Sequence, residues 1–267
     1  MTIAQPSNDL AEPDMIRQIY DLRGRSAVVT GGGSGLGRAI AWGFACFGAD
    51  VAILDRNIGA GKATADRISA DTGRRAIALE VEVSHERDVE RAIAHIASTF
   101  DGIDILVNGA GHNIRKPLLE MSREEFDSIT DVHVRGAFLT CRAVGRLMRQ
   151  RQKGSIINIA SIAGHVGIPN VAAYAAAKGA LIQMTKSLSL EMASYGVRVN
   201  ALCPGYFATP LTLQHAPEVR GAVAGETPLG RFGEPQELIG PALFLASDAS
   251  SFVTGTSVLI DGGWTAR

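Results

Sequence analysis

Cysteine is scarce in this 267-residue chain: Cys46, Cys141 and Cys203 are odd in number, widely spaced and never arranged as CxxC, which gives neither a disulfide framework nor a zinc site. Charge of one sign is not in excess. Against 27 Asp+Glu stand 26 Lys+Arg, a formal net charge of -1, so no global positive field draws the chain to nucleic acid or to anionic lipid. Lys and Arg are absent before Arg17, where Asp9, Glu12 and Asp14 make the start the reverse of a signal peptide's. A cytoplasmic location is expected. Gly154–Ala177 lacks charged side chains, but Asn158, Gly164, His165, Gly167, Pro169 and Asn170 break it into strand, loop and helix start, so no membrane span is expected. Neither His-x-Glu-x-x-His nor a carboxylate pair at metal spacing occurs, so the chemistry should be metal-independent.

What remains is a composition of 46% apolar and 20% charged residues, that of a folded globular protein with a small-molecule partner. From about Arg25, short β-branched runs alternate with longer helical patterns, the form of repeated βαβ units. Seven strands are predicted: Ser26–Thr30, Asp50–Asp55, Ala76–Val83, Ile103–Asn108, Ser155–Ser161, Arg198–Cys203 and Ser257–Asp261. Several read as continuous apolar runs, which means burial on both faces and a three-layer α/β/α Rossmann fold around a seven-stranded parallel sheet. Leu36, Ile40, Phe44 and Phe47 recur at helical spacing, with Gly48 as the stop. Residues 1–24 read as an N-terminal extension and 25–267 as a single catalytic domain. The Pro- and Gly-rich segment 206–230 is too long for an ordinary connector and reads as a small substrate-covering lid.

Directly after the first strand, Thr30-Gly31-Gly32-Gly33-Ser34-Gly35-Leu36-Gly37 opens a helix. Glycines at such a turn let backbone N–H groups approach a pyrophosphate at the positive end of the helix dipole. The spacing Gly31-x3-Gly35-x-Gly37 is not the literal G-x-G-x-x-G. Asp55 ends the second strand, where a carboxylate accepts hydrogen bonds from ribose hydroxyls and repels a 2′-phosphate; Arg56 beside it would attract one. NAD is therefore expected, with NADP left open.

Tyr174-Ala175-Ala176-Ala177-Lys178 sets a phenol and an ammonium one turn apart on a helix face, downstream of Ser161. A phenol with a pKa near ~10 needs a shift of about three units to act as a base at neutral pH. A positive charge ~4 Å away at an effective dielectric of ~20 is of that size, so Lys178 is expected to supply it.

With these residues in place, the chain from about Leu22 to Arg267 resembles the short-chain dehydrogenase/reductase family. Thr30, Gly31, Gly35 and Gly37 match its TGxxxGxG, Asn108-Gly109-Ala110-Gly111 is similar to its NNAG, and Pro204-Gly205 with Thr209 matches its PGxxxT. The resemblance implies that Tyr174 exchanges a proton with the substrate oxygen, Ser161 holds that oxygen, Lys178 binds the nicotinamide ribose and Thr209 touches the nicotinamide amide. Thr30, Gly31, Ser34, Gly35, Leu36, Gly37, Asp55, Glu82, Val83, Asn108, Ala110, Gly111, Pro204 and Gly205 are the other expected cofactor contacts. Glu82-Val83 stands where the family often has Asp-Val beside the adenine. Asp131-Val132-His133-Val134-Arg135-Gly136 aligns with a segment usually carrying Asn, whose side chain holds a water of the proton relay, at the position of His133. An imidazole with a pKa near ~6.5 would make that relay sensitive to pH; a helix histidine bonded to a backbone carbonyl is the other reading.

In the loop Gly111–Pro117, Arg115 offers a planar fork to a substrate carboxylate. Arg115-Lys116-Pro117, Met121-Ser122 and the ending Asp261-Gly262-Gly263-Trp264-Thr265-Ala266-Arg267 resemble the gluconate 5-dehydrogenase and 2-deoxy-D-gluconate 3-dehydrogenase members of the family, which implies a sugar acid. His112 and His165 are further pocket candidates without a catalytic assignment. An NADPH-dependent 3-oxoacyl thioester reductase, a dehydrogenase of broad substrate range and a dinucleotide-sensing protein without chemistry remain open. The family also implies a homotetramer.

Overall fold

The computed structural model describes residues 13–213 and 216–266. After helix α1 (Pro13–Gln18), strands β1 (Ser26–Thr30), β2 (Asp50–Asp55) and β3 (Ala76–Glu80) alternate with helices α2 (Gly35–Cys46), α3 (Ile58–Thr72) and α4 (Glu86–Phe100). Strand β4 (Ile105–Asn108) leads to α5 (Arg123–Thr130), a π-helical turn over Asp131–Gly136, and α6 (Ala137–Arg151). Then come β5 (Gly154–Ile159), α7 (Ala172–Met192), β6 (Val197–Pro204), the short α8 (Pro210–Leu213), α9 (Pro217–Glu226), α10 (Ile239–Ala246) and β7 (Ser257–Ile260). The strands form one parallel sheet in the order β3-β2-β1-β4-β5-β6-β7. The order reverses between β1 and β4, which opens a crevice at the carboxyl ends of those strands.

Alternation along the central strands explains the three layers. Ala27 and Val29 of β1 point to the face packed by Ile40 and Phe44 of α2, Ile68 of α3 and Leu243 of α10. Val28 points the other way, onto a layer built from Val89 and Ile96 of α4, Val144 and Met148 of α6 and Met192 of α7. Both faces are dry, which is why these strands read as unbroken apolar runs.

Several predicted boundaries move, each for a local reason. β3 stops at Glu80 rather than Val83 because it is an edge strand, and its one neighbour, β2, ends at Asp55, the partner of Glu80. β4 begins at Ile105 rather than Ile103, since Asp104 turns its carboxylate to the Ser26 N–H at 2.9 Å. β5 ends at Ile159, not Ser161; Ser161 instead caps a 3₁₀ turn (Ile162–Gly164), its Oγ accepting from the Ala163 N–H at 3.1 Å. Phe47 falls just past the end of α2 and is exposed, so the apolar stripe ends at Phe44. Within the segment read as an extension, Leu22 is fully buried in the core, so the core takes in residues before Arg25; positions 1–12 lie outside the described residues.

Candidate active site

A cavity of about 470 Å³ lies along the carboxyl ends of the strands. One wall is the turn from β1 into α2. Gly31 has φ +68°, a region that favours glycine, and a Cβ there would come within 2.8 Å of the Ala110 Cα. At Gly37 a Cβ would drive into the Gly31 carbonyl. Ser34 caps α2 without a side-chain bond, and no acidic residue occupies the first turn, so the helix N–H groups are left for an anion. Ser34, Gly35, Leu36 and Gly37 all line the cavity. This cradle, closed to side chains and rich in free N–H donors, fits the pyrophosphate of a dinucleotide.

At the end of β2, Asp55 also lines the cavity, its Oδ2 accepting from the Gly33 N–H and its Oδ1 from the Asn57 N–H, both at 2.9 Å. Those two bonds fix the carboxylate where ribose hydroxyls would meet it, and they leave further lone pairs. Arg56 lines the same cavity. Glu82 and Val83 border it beyond β3, with Glu82 Oε1 accepting from the Ser84 hydroxyl at 2.9 Å.

Two expected cofactor contacts are not on the cavity wall. Thr30 turns its Oγ1 to accept from the N–H groups of Gly109 (3.0 Å) and Ala110 (3.1 Å), so it shapes the β4 loop instead of touching the cavity. Asn108 is buried between strands and helices: its Oδ1 accepts from Thr140 Oγ1 at 2.6 Å, and its Nδ2 donates to Asn158 Oδ1 at 2.9 Å. It ties β4 to β5 and α6. At Gly109, which replaces the second Asn of the family motif, a Cβ would lie 2.9 Å from the Thr30 carbonyl oxygen, so a side chain there needs a shift of the backbone.

On the opposite wall, Ser161, Tyr174 and Lys178 come together as expected, joined by Ala110, Gly111, Pro204, Gly205 and Thr209. The electrostatics differ from the expectation. Lys178 is buried and donates from Nζ to the Ile159 carbonyl at 2.6 Å, and burial pulls its pKa down to about 7. Burial likewise pushes the Tyr174 phenol up to about 12, although hydrogen bonding with Ser161 opposes the rise. In the protein alone Lys178 therefore does not make Tyr174 a base at neutral pH, because the ammonium is itself destabilised by the dry site that was to strengthen its field. Tyr174 is held as an acid.

His133 sits in the π-helical turn, 3% exposed, its ring edge-on to Tyr174 with centroids 5.3 Å apart. Gly111 makes room for it, since a Cβ there would overlap the imidazole. Nε2 meets the His112 carbonyl at 2.7 Å and must donate to it, which leaves Nδ1 a buried acceptor with no partner among the described residues. Burial, reinforced by Lys178, holds this imidazole well below its ordinary pKa. The downward shift runs against a titration near neutral pH, and the bond to the His112 carbonyl matches the other reading of this residue.

Arg115 is exposed and absent from the cavity wall, its guanidinium donating to the Pro169 carbonyl at 3.5 Å. Its neighbour Lys116 is consumed by Glu125 at 2.9 Å. His165 leans on Cys203 Sγ at 3.4 Å and does not line the cavity, whereas His112 does. Ile159 and Ala160 also line the wall, and of the segment 206–230 read as a lid, Phe207, Thr209, Pro210, Leu211 and Thr212 reach it. Among the described residues no helix is long and apolar enough to cross a membrane, and no three potential metal ligands cluster.

Known proteins carry the same pattern. A family model described as enoyl-(acyl carrier protein) reductase matches residues 31–265. The 5-keto-D-gluconate 5-reductase of Escherichia coli strain K12 is 34% identical over 250 residues, covering 93% of this chain and 98% of that protein. Cyclopentanol dehydrogenase of Comamonas sp. is 41% identical over 242 residues, covering 90% and 96%. Among solved structures, a gluconate 5-dehydrogenase from Burkholderia cenocepacia J2315, in complex with NADP and tartrate, superposes with a TM-score of 0.89 at 38% identity, covering 94% of this chain and 98% of that one.

Proposed function

This chain belongs to the short-chain dehydrogenase/reductase family of NAD(P)-dependent oxidoreductases acting on CH–OH groups, and we propose that it interconverts a sugar acid and its keto acid, with NAD preferred to NADP. The observation that carries the reading is the meeting of Ser161, Tyr174 and Lys178 on the wall facing the glycine-built end of α2. Bound there, a nicotinamide dinucleotide supplies the hydride acceptor or donor. Ser161 holds the substrate oxygen by hydrogen bond, and Tyr174 moves the proton on that oxygen. In reduction the Tyr174 phenol would give its proton to the carbonyl oxygen; in oxidation the substrate hydroxyl would give its proton to the Tyr174 oxygen, which must first be ionised, so oxidation is favoured by high pH. Lys178, between Tyr174 and the Ile159 carbonyl, would hold the ribose of a bound dinucleotide. His133 keeps Tyr174 in place by edge contact and offers Nδ1 to a relay water.

The sugar-acid assignment rests on the named relatives; Arg115, without an ion-pair partner among the described residues but outside the cavity wall, would meet a carboxylate only where the substrate projects from the cavity past His112. A free guanidinium there would take the carboxylate in a forked contact. NAD is favoured by Asp55, whose fixed carboxylate would lie against a 2′-phosphate, although the Burkholderia enzyme was solved with NADP. We further infer a homotetramer in the cytoplasm, with the exposed Phe138 on α6 in an interface between copies; sedimentation of a monomer would contradict it. Initial rates of NADH formation with D-gluconate, other sugar acids and simple alcohols, each with NAD and NADP, test the reading. Turnover of the acids with NAD is expected; turnover confined to simple alcohols would overturn the substrate assignment.

A further inference from the structure

His112 is built into the cavity wall more rigidly than a loop histidine needs to be. Its carbonyl receives the Nε2–H of His133 at 2.7 Å, and the two imidazoles stack at 6.2 Å with an interplanar angle of 26°. Its own ring is held from the other side: Nε2 lies 3.3 Å from Ser128 Oγ. The Ser128 hydroxyl has one hydrogen, and it goes to the Glu125 carbonyl at 2.8 Å. Ser128 must therefore accept, so His112 carries its proton on Nε2. Behind Ser128 the support is firm, because Glu125 forms a capping box with Ser122 and is gripped by Lys116 through both carboxylate oxygens at 2.9 Å.

That arrangement leaves Nδ1 as a lone-pair acceptor with no bond to any described residue, on a ring that lines the cavity and is one imidazole removed from Tyr174. Burial together with Arg56 lowers the pKa of His112, which keeps the ring neutral and Nδ1 an acceptor. An acceptor fixed in a cavity selects for a donor, and for a substrate of alcohols and ketones the donor is a hydroxyl. We propose that His112 is a specificity-determining residue whose Nδ1 accepts a hydrogen bond from a second hydroxyl of the substrate, distinct from the one oxidised. This deepens the polyhydroxy-acid reading and rests on it. A mono-alcohol leaves that acceptor to water; a polyol fills it.

The test compares D-gluconate, cyclopentane-1,2-diol and cyclopentanol as substrates for the parent, His112→Leu, His112→Asn and Ser128→Ala enzymes, with NADH binding and Tm recorded for each. In His112→Leu, KM for gluconate and for the diol rises about tenfold while kcat, and both constants for cyclopentanol, stay within about twofold. His112→Asn retains an acceptor and recovers part of the loss; Ser128→Ala, which frees the ring to change tautomer, moves KM in the same direction by less. Equal changes for all three substrates, or none for the two polyols, would overturn the proposal. Turnover of gluconate unaffected by His112→Leu would remove His112 alone. A diol response without gluconate turnover would support His112 and remove the sugar-acid assignment.

Discussion

The two walls of the cavity are made differently. The wall formed by β1, α2 and the end of β2 is made of backbone: glycines at Gly31 and Gly37 where a Cβ would press on neighbouring main chain, free helix N–H groups, and a carboxylate already fixed by two N–H donors. The wall formed by β5, α7 and the π-helical turn presents side chains away from their ordinary pKa values, the buried Lys178 and His133 low and the partly buried Tyr174 high. In the function proposed above, the first wall holds the pyrophosphate and adenosine ribose and the second carries the proton chemistry, where the perturbed groups collect.

If that division holds, the walls can be broken separately. The largest effect is expected from Tyr174→Phe, which should lower kcat by about 10²–10⁴-fold while NADH titration by fluorescence shows unchanged affinity; a parallel loss of binding would merge the two walls. Next comes Gly37→Ala on the backbone wall. Its Cβ would meet the Gly31 carbonyl, so dinucleotide affinity should fall and stability should drop by ~1–3 kcal/mol, read from urea unfolding. Smaller is Asp55→Asn, expected to shift the ratio of kcat/KM for NADP over NAD upward by about tenfold, the size of one partly screened charge contact. The last test concerns the side-chain wall without cofactor. Lys178 has a pKa of about 7 in the fold against 10.5 for an ordinary lysine, so between these values the unfolded chain binds more protons and folding stability rises with pH. Removing the group removes that gain: the Tm of Lys178→Met minus that of the parent should fall as pH goes from neutral toward the lysine range, and a constant difference would show that Lys178 is solvated.

The backbone wall was the more legible in sequence. Spacing of Gly31, Gly35 and Gly37 after an apolar run specifies strand, turn and helix almost without tertiary information, and all seven strands follow from such runs. Strand ends were less legible because they depend on a neighbour: β3 ends where β2 leaves it without a partner. On the side-chain wall the residue types were readable but their state was not. Nothing local says that Lys178 will bond to a carbonyl contributed by β5, or that Thr30 and Asn108 turn from the cavity to hold β4 in place. His112 and Arg115 are near neighbours in one loop, and only the fold places the first on the cavity wall and leaves the second outside it. A possible signal was there in Ser128 and Glu125, which support His112, but their meaning depends on α5 packing against that loop.

Transfer of an isotope from substrate to cofactor tests the central claim most directly. With D-gluconate deuterated at the carbon whose hydroxyl is oxidised, incubation with NAD and the parent enzyme should give reduced cofactor carrying deuterium, detected by mass spectrometry, formed at least about 10²-fold more slowly with Tyr174→Phe. Reduced cofactor without the label, or label transfer undiminished in Tyr174→Phe, would contradict it.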